Sequence, residues 1–330
     1  MSLNKVRAVQ LVTDRGKTDK QTANASAPTL VERIGQPIRQ ACLNLVTLKD
    51  LSVRTARKTP RDLSYWPQSI TRYHLLAFFA VLAFAFIVLD PLVVPFIRSL
   101  PRDVSSLFAF ITELSTAKIY LVPVGVVALV LLLCNWRELG RRLQWSLLQF
   151  SIWLTAAILA IGVGGLFVNL LKRMIGRGRP KHFDELGAYG FDPFAFTSSF
   201  ASFPSGHATT SGSAIMLAMV FLPKWRLPLL VVAIVFAASR VVLGAHYVSD
   251  VILGLCLGGL FAWWVCVYFA KRNLGFYADS SSILGISAFS LRSNLAKERK
   301  EIGGAFTATF NHQLPPSDNL SIKPENQQKD

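Results

Sequence analysis

The sequence predicts an all-α, polytopic membrane protein: six transmembrane helices in one bundle, flanked by polar ends. Three observations predict it. Of 330 residues, 52% are hydrophobic; the mean hydropathy is +0.41; and the apolar residues gather into runs almost free of charge. A soluble helical core does not call for several such runs, whereas a hydrocarbon layer roughly 30 Å thick does.

The chain opens on a basic segment, residues 1–72, read as cytoplasmic. Its first twenty residues hold seven charges and no apolar core, so the first span has to serve as the insertion signal. Met1–Ala27 reads as a solvated tail. Leu30–Val53 has the apolar spacing of a surface-lying helix that Pro37 interrupts. Arg54–Arg61 forms a basic stretch suited to an anionic membrane surface.

The membrane domain is expected over 73–271, with spans at His74–Leu89, Ile119–Cys134, Trp145–Leu171, Ala208–Leu222, Leu227–Val242 and Val251–Ala270. Between the first two, Asp90–Lys118 reads as an external amphipathic segment carrying Phe96, Leu107 and Phe110. Arg137, Arg141 and Arg142 follow the second span, Lys224 and Arg226 the fourth, and Lys271 and Arg272 the sixth. Positive residues stay inside, so both termini are expected in the cytoplasm. Residues 272–330 read as a polar, flexible cytoplasmic tail with a charged cluster at Lys297–Glu301.

The net charge of +16 raises the question of nucleic acid, and its distribution answers no. Residues 1–73 hold thirteen Lys and Arg against five Asp and Glu, about half of the excess, next to a membrane span. Cys42, Cys134, Cys256 and Cys266 show neither CxxC nor zinc spacing, so disulfides and a structural metal are not expected.

Three stretches at the external ends of spans carry charge where charge is costly. The first, K-R-M-I-G-R-G-R-P, places Lys172 at a helix end and Arg179-Pro180 beyond it, with Gly176 and Gly178 letting the chain turn back. Arg173, Arg177 and Lys181 add positive field. A basic helix end could be no more than snorkelling side chains, but the external face disfavours such a cluster. The second stretch, Pro204-Ser205-Gly206-His207, precedes a span. Ser205 suits an N-cap, and the first N–H groups of the next helix form an anion site beside His207. The third, S-R-V-V-L-G-A-H-Y-V-S-D, holds Arg240, then His246 and Asp250 four apart. On a helix these share a face, so Asp250 could accept the Nδ1 proton and leave Nε2 free to attack. Jointly the stretches suggest a histidine attacking a phosphate held by Lys and Arg.

Lys172, Arg179, Pro180, Pro204, Ser205, Gly206, His207, Ser239, Arg240, His246 and Asp250, in this order and spacing, closely resemble the signature of the type 2 phosphatidic acid phosphatase (PAP2) family, within the lipid phosphate phosphatase and vanadium haloperoxidase superfamily. The resemblance covers about Tyr73–Lys271. It implies that His246 is the nucleophile, giving a phosphohistidine, and that His207 protonates the leaving oxygen. Lys172, Arg179, Ser205, Gly206 and Arg240 would then hold the phosphate, with no metal or other cofactor. His182, close to the first stretch, reads as an ordinary loop histidine.

The partner implied is a phosphorylated membrane lipid. Phosphatidylglycerol phosphate, phosphatidate, undecaprenyl diphosphate and lipid A phosphates all fit the family. Phosphoryl transfer to a second lipid instead of water would share the first half-reaction. A lipid-binding protein without turnover is disfavoured by the intact His207, His246 and Asp250, and a haloperoxidase by membrane embedding. The expected place is a bacterial inner membrane with the site at the periplasmic face. Phe183, Tyr189, Phe191, Phe194, Phe196, Phe200 and Phe203, between the first two stretches, read equally as a lid and as interfacial packing.

Overall fold

The computed structural model describes residues 71–136, 139–272, 274–278 and 284–288, with 36, 37, 39–46 and 49. The Arg54–Arg61 stretch, the Lys297–Glu301 cluster and Met1–Ala27 lie outside the described residues. The helices are α1 (Arg72–Arg98), α2 (Arg102–Glu113), α3 (Ala117–Leu133), α4 (Arg142–Ile175), α5 (Gly206–Phe221), α6 (Arg226–Val242) and α7 (Val248–Lys271).

Five helical stretches among the described residues are long and apolar enough to cross a membrane: α1, α2 continuing into α3, α4, α6 and α7. The sixth expected span is where the structure differs. Ala208–Leu222 forms α5, a helix of 16 residues, about 24 Å at 1.5 Å per residue. Its sequence explains the position it takes. Ala208, Thr209, Thr210, Ser211, Gly212 and Ser213 are small, and all are buried. They meet Gly254 and Gly258 of α7, where a Cβ on Gly258 would collide with the Thr209 carbonyl and one on Gly212 with the Leu255 carbonyl. Small residues let the two backbones touch, as in helix pairs within bilayers. An inner helix wrapped by neighbours has no need to match the full lipid thickness.

The outer helices show the opposite pattern. No residue of α3 is buried, and Val122 and Leu129 are 61% and 56% exposed, an apolar surface that suits lipid. The segment Asp90–Lys118, expected to be external and amphipathic, is helical. Its first part prolongs α1 to Arg98, and its second is α2, leading directly into α3. α1 passes through a π-turn at Ala85–Leu89 just before Pro91. Pro91 has no N–H to offer the Ile87 carbonyl, and the Tyr189 hydroxyl donates to it instead, at 2.9 Å.

At the end of the bundle opposite the histidines lies the largest apolar core, around Trp136, Leu148, Trp263, Cys266 and Phe269. The expected polar tail after 271 is corrected here. Leu274, Phe276, Ile286 and Ala288 are buried in that core. Tyr277–Ala278 and Ile286–Ser287 pair as a short antiparallel ladder, and Trp153 and Trp263 donate to the Gly275 and Leu284 carbonyls. Isolated apolar residues in a polar context gave these positions too weak a pattern to read. Residues 39–46, inside the expected Leu30–Val53 helix, are helical, and Asn44 Nδ2 donates to the Leu132 and Cys134 carbonyls at the end of α3.

Candidate active site

The three charged stretches meet at one end of the bundle because each sits at a helix terminus on that side. α4 ends at Gly176, whose φ of +66° turns the chain back, and a Cβ there would strike the Asp192 backbone. The following strand-like segment is tied into the loop that covers it. Gly178 N–H donates to the Gly190 carbonyl, Arg179 N–H to that of Ser199, and Ser202 N–H to that of Arg177. Lys172 at the helix end and Arg179 in the loop are thereby brought together.

Ser205 caps α5 as its residue type foretold: its Oγ accepts from Ala208 N–H at 3.4 Å. The first backbone bond of the helix runs from Thr209 N–H to the Ser205 carbonyl, so the Gly206 and His207 amides precede any intrahelical acceptor. A Cβ on Gly206 would meet nothing within 4 Å, which leaves a cradle over those amides. The Ser205 N–H donates to the Asp250 carbonyl and fastens this turn to α7.

α6 ends two residues after Arg240, at Val242. Gly244 adopts φ +59°, and the Ala245 and His246 N–H groups both reach back to the Arg240 carbonyl, which draws His246 against Arg240. Ser239 is buried, its hydroxyl bonded back to the Phe236 carbonyl. Arg240 Nη1 donates to Thr112 Oγ1 of α2 at 3.0 Å.

The shared helical face expected for His246 and Asp250 is corrected. α7 begins at Val248, so His246 lies in the preceding turn, and Asp250 reaches back to accept from Tyr247 N–H at 2.9 Å. His246 Nδ1 stands 2.8 Å from the Ser202 carbonyl and 3.6 Å from Asp250 Oδ2. A carbonyl can only accept, so Nδ1 carries the proton and Nε2 keeps its lone pair. Ser202 also donates its hydroxyl to Asp250 Oδ2 at 2.5 Å. Ser202 was missed, and nothing in the sequence marks a residue that acts through its backbone carbonyl. Burial pushes the His246 imidazole below its ordinary value and the Arg240 and Arg179 charges push the same way, against the opposing pull of Asp250.

Lys172, Arg179 and Arg240 lie near enough to repel, Lys172 and Arg240 each against Arg179, and all three act on His207. The Nε atoms of Arg179 and Arg240 are buried with no hydrogen-bond partner. Buried guanidinium nitrogens are ordinarily paired, and a bound anion could pair these. Among the described residues no His, Cys, Asp and Glu group has the arrangement of a metal site.

Arg177 does something other than the expected addition of positive field. Fully buried, it donates to Asp250 Oδ1 at 2.6 Å, Asp90 Oδ2 at 2.8 Å, Ser249 Oγ at 2.8 Å and the Ala188 carbonyl at 2.9 Å. Asp90, in the C-terminal half of α1, was also overlooked, although a carboxylate within an apolar run is itself a signal.

The aromatic insertion divides. Tyr189 and Phe191 pack on Phe86 of α1, while Phe194 and Phe196 are 64% and 78% exposed.

Comparison with known proteins places this arrangement. The model of the PAP2 superfamily matches residues 153–274. Residues 153–274 belong to the PAP2 superfamily. All of the signature residues, Lys172 to Asp250, lie inside this PAP2 segment. Lipid A 1-phosphatase of Rhizobium etli is 45% identical over 112 residues, 34% of this chain and 48% of that protein. Decaprenylphosphoryl-5-phosphoribose phosphatase of Mycobacterium tuberculosis is 40% identical over 107 residues, 32% of this chain and 55% of that one. The chain thus spans about half the length of the curated relatives it matches. A crystal structure of a transmembrane PAP2-type phosphatidylglycerolphosphate phosphatase from Bacillus subtilis aligns with a TM-score of 0.41 and 26% identity, covering 58% of this chain and 92% of that one.

Proposed function

We propose that the protein is an integral-membrane lipid phosphatase, hydrolysing a phosphomonoester or diphosphate headgroup through a phosphohistidine on His246. One observation carries the reading: Arg179 and Arg240 present buried, unpartnered guanidinium nitrogens beside a histidine whose Nδ1 is pinned and whose Nε2 is free. Fixed positive charge of that kind stabilises the equatorial oxygens as phosphoryl transfer proceeds.

The His246 Nε2 lone pair attacks phosphorus, and the bond from phosphorus to the lipid oxygen breaks with its electron pair on that oxygen. His207 protonates it as it leaves. In the second half, water attacks phosphorus and passes a proton to His207, while the P–N bond breaks and its electrons return to Nε2. Lys172, Arg179, Arg240 and the amides at Gly206 hold the phosphoryl oxygens throughout, and Ser205 holds the turn that aims those amides. Asp250 orients His246 through Ser202. No metal takes part in these steps, so activity should persist in chelator.

An amphiphile fits a site at the end of a lipid-facing bundle, its phosphate among the cations and its chains in the bilayer. The similarity to lipid A 1-phosphatases supports testing lipid A phosphates first, then polyprenyl and glycerolipid phosphates. The positive-inside pattern supports cytoplasmic termini in a bacterial inner membrane, with the site at the periplasmic face.

The test is phosphate release from a panel of these lipids by detergent-solubilised protein, beside His246→Ala. Release of inorganic phosphate that the substitution abolishes supports the reading. Label moved to an acceptor lipid without free phosphate would make the enzyme a phosphotransferase, and equal release by both proteins would refute it.

A further inference from the structure

Resting on that phosphatase reading, we propose that Asp90, on α1, is a positioning residue whose charge lets Asp250 act on His246. Asp250 is gripped by Arg177, and an arginine paired with one carboxylate is electrically neutral from outside. Had the pair stood alone, His246 would face little net charge. Asp90 changes that balance. Its Oδ2 accepts from Arg177 Nη2 at 2.8 Å, on the far side of the guanidinium from Asp250, so with both acids ionised the trio of two carboxylates and one cation carries one net negative charge. All three side chains are fully buried, so water screens that charge little.

The trio is held as a unit. Ser249 N–H and Oγ both donate to Asp90, at 3.0 and 2.5 Å, and Ser249 Oγ accepts from Arg177. The guanidinium lies against the Tyr247 and Phe86 rings, 4.2 and 4.6 Å from their centroids, which confines it between the two acids. Attack on phosphorus turns His246 into a positively charged N-phosphoimidazolium, the point at which a net negative neighbour matters. The other charges facing His246 are all positive or neutral: Arg240 from α6, Arg179 from the covering loop, His207 from α5, and through His207 also Lys172 from α4. Asp90 is thus the charge that leaves the Arg177 trio net negative, and it reaches the imidazole through Asp250.

The experiment is the pH dependence of kcat/KM for lipid phosphate hydrolysis by the full-length enzyme in detergent, comparing Asp90→Asn, Asp90→Glu and His246→Ala. Asp90→Asn removes the surplus charge, so His246 gives up its proton more readily. The acid limb should move to lower pH by roughly half to one unit, and the plateau should fall about tenfold, the ratio that one pKa unit represents. Asp90→Glu disturbs the fit but keeps the charge, and its limb should stay near the native position. The limb does not depend on how much protein is folded, so partial unfolding leaves the comparison intact. An unmoved limb in Asp90→Asn, an equal displacement in Asp90→Glu, or no folded fraction at all in Asp90→Asn would assign Asp90 to holding α1 in place and overturn the proposal. Native release of phosphate by His246→Ala would instead bring down the phosphatase reading beneath it.

Discussion

Arg177 and Arg179 stand two residues apart in one loop, and their surroundings could hardly differ more. Arg177 is fully buried with two carboxylates, a serine and a carbonyl around its guanidinium. Arg179 lies beside Lys172 with a buried Nε that meets no acceptor, held below its ordinary value by burial against the pull of Asp250. One arginine completes the protein; the other waits for something the protein does not supply. Which cation builds and which binds is therefore decided by where the acids are.

The largest expected effect separates the two arginines. Arg177→Ala leaves Asp90 and Asp250 buried without their cation and should cost about 3–5 kcal/mol of stability, read by thermal unfolding in detergent. A variant as stable as the native protein would break the comparison. Arg179→Ala should leave stability unchanged or raise it, while kcat/KM falls by roughly 10²–10³, the effect of losing one donor to transition-state charge. The same substitution should abolish vanadate inhibition, because vanadate would occupy the phosphate position among these cations. A loss of stability matching that of Arg177→Ala would erase the distinction.

Much of the site was legible in the sequence because charges in apolar surroundings are conspicuous. Lys172, Arg179, His207, Arg240, His246 and Asp250 do come to one end of the bundle. Ser205 is an N-cap because its short hydroxyl reaches the third N–H beyond it. The rest was hidden for identifiable reasons. Four-residue spacing implied a helical pair for His246 and Asp250, but the helix starts after His246, and a carbonyl from Ser202 fills the gap. Side-chain types cannot announce a backbone acceptor. The six apolar runs were visible, yet the small residues Thr209 to Ser213, which mark α5 as an inner helix, were read only as span. Phe276 and Ile286 were too isolated to reveal that the chain beyond α7 closes the core.

A smaller effect concerns His246, on which Arg179 and Arg240 both act. Since burial and the neighbouring cations hold His246 below the ordinary imidazole value of about 6.5, the acid limb of kcat/KM should lie below that pH. The imidazole is neutral and active above the limb and loses activity as pH falls through it. A limb above 6.5 would mean that Asp250 outweighs burial. The smallest effect is at the covering loop. Tyr189→Phe removes the hydroxyl bonded to the Ile87 carbonyl and should cost about 1 kcal/mol of stability with less than a few-fold change in turnover. A large loss of turnover there would move the aromatic loop from scaffold to substrate contact.

The central claim is that His246 carries the phosphoryl group between two half-reactions. Rapid quenching into base of the enzyme turning over a lipid labelled in its phosphate, followed by mapping of the label, tests it directly. Base-stable, acid-labile label on the peptide containing His246, absent from His246→Ala, is the result expected. Turnover with no labelled protein, or with label on any other residue, would contradict it.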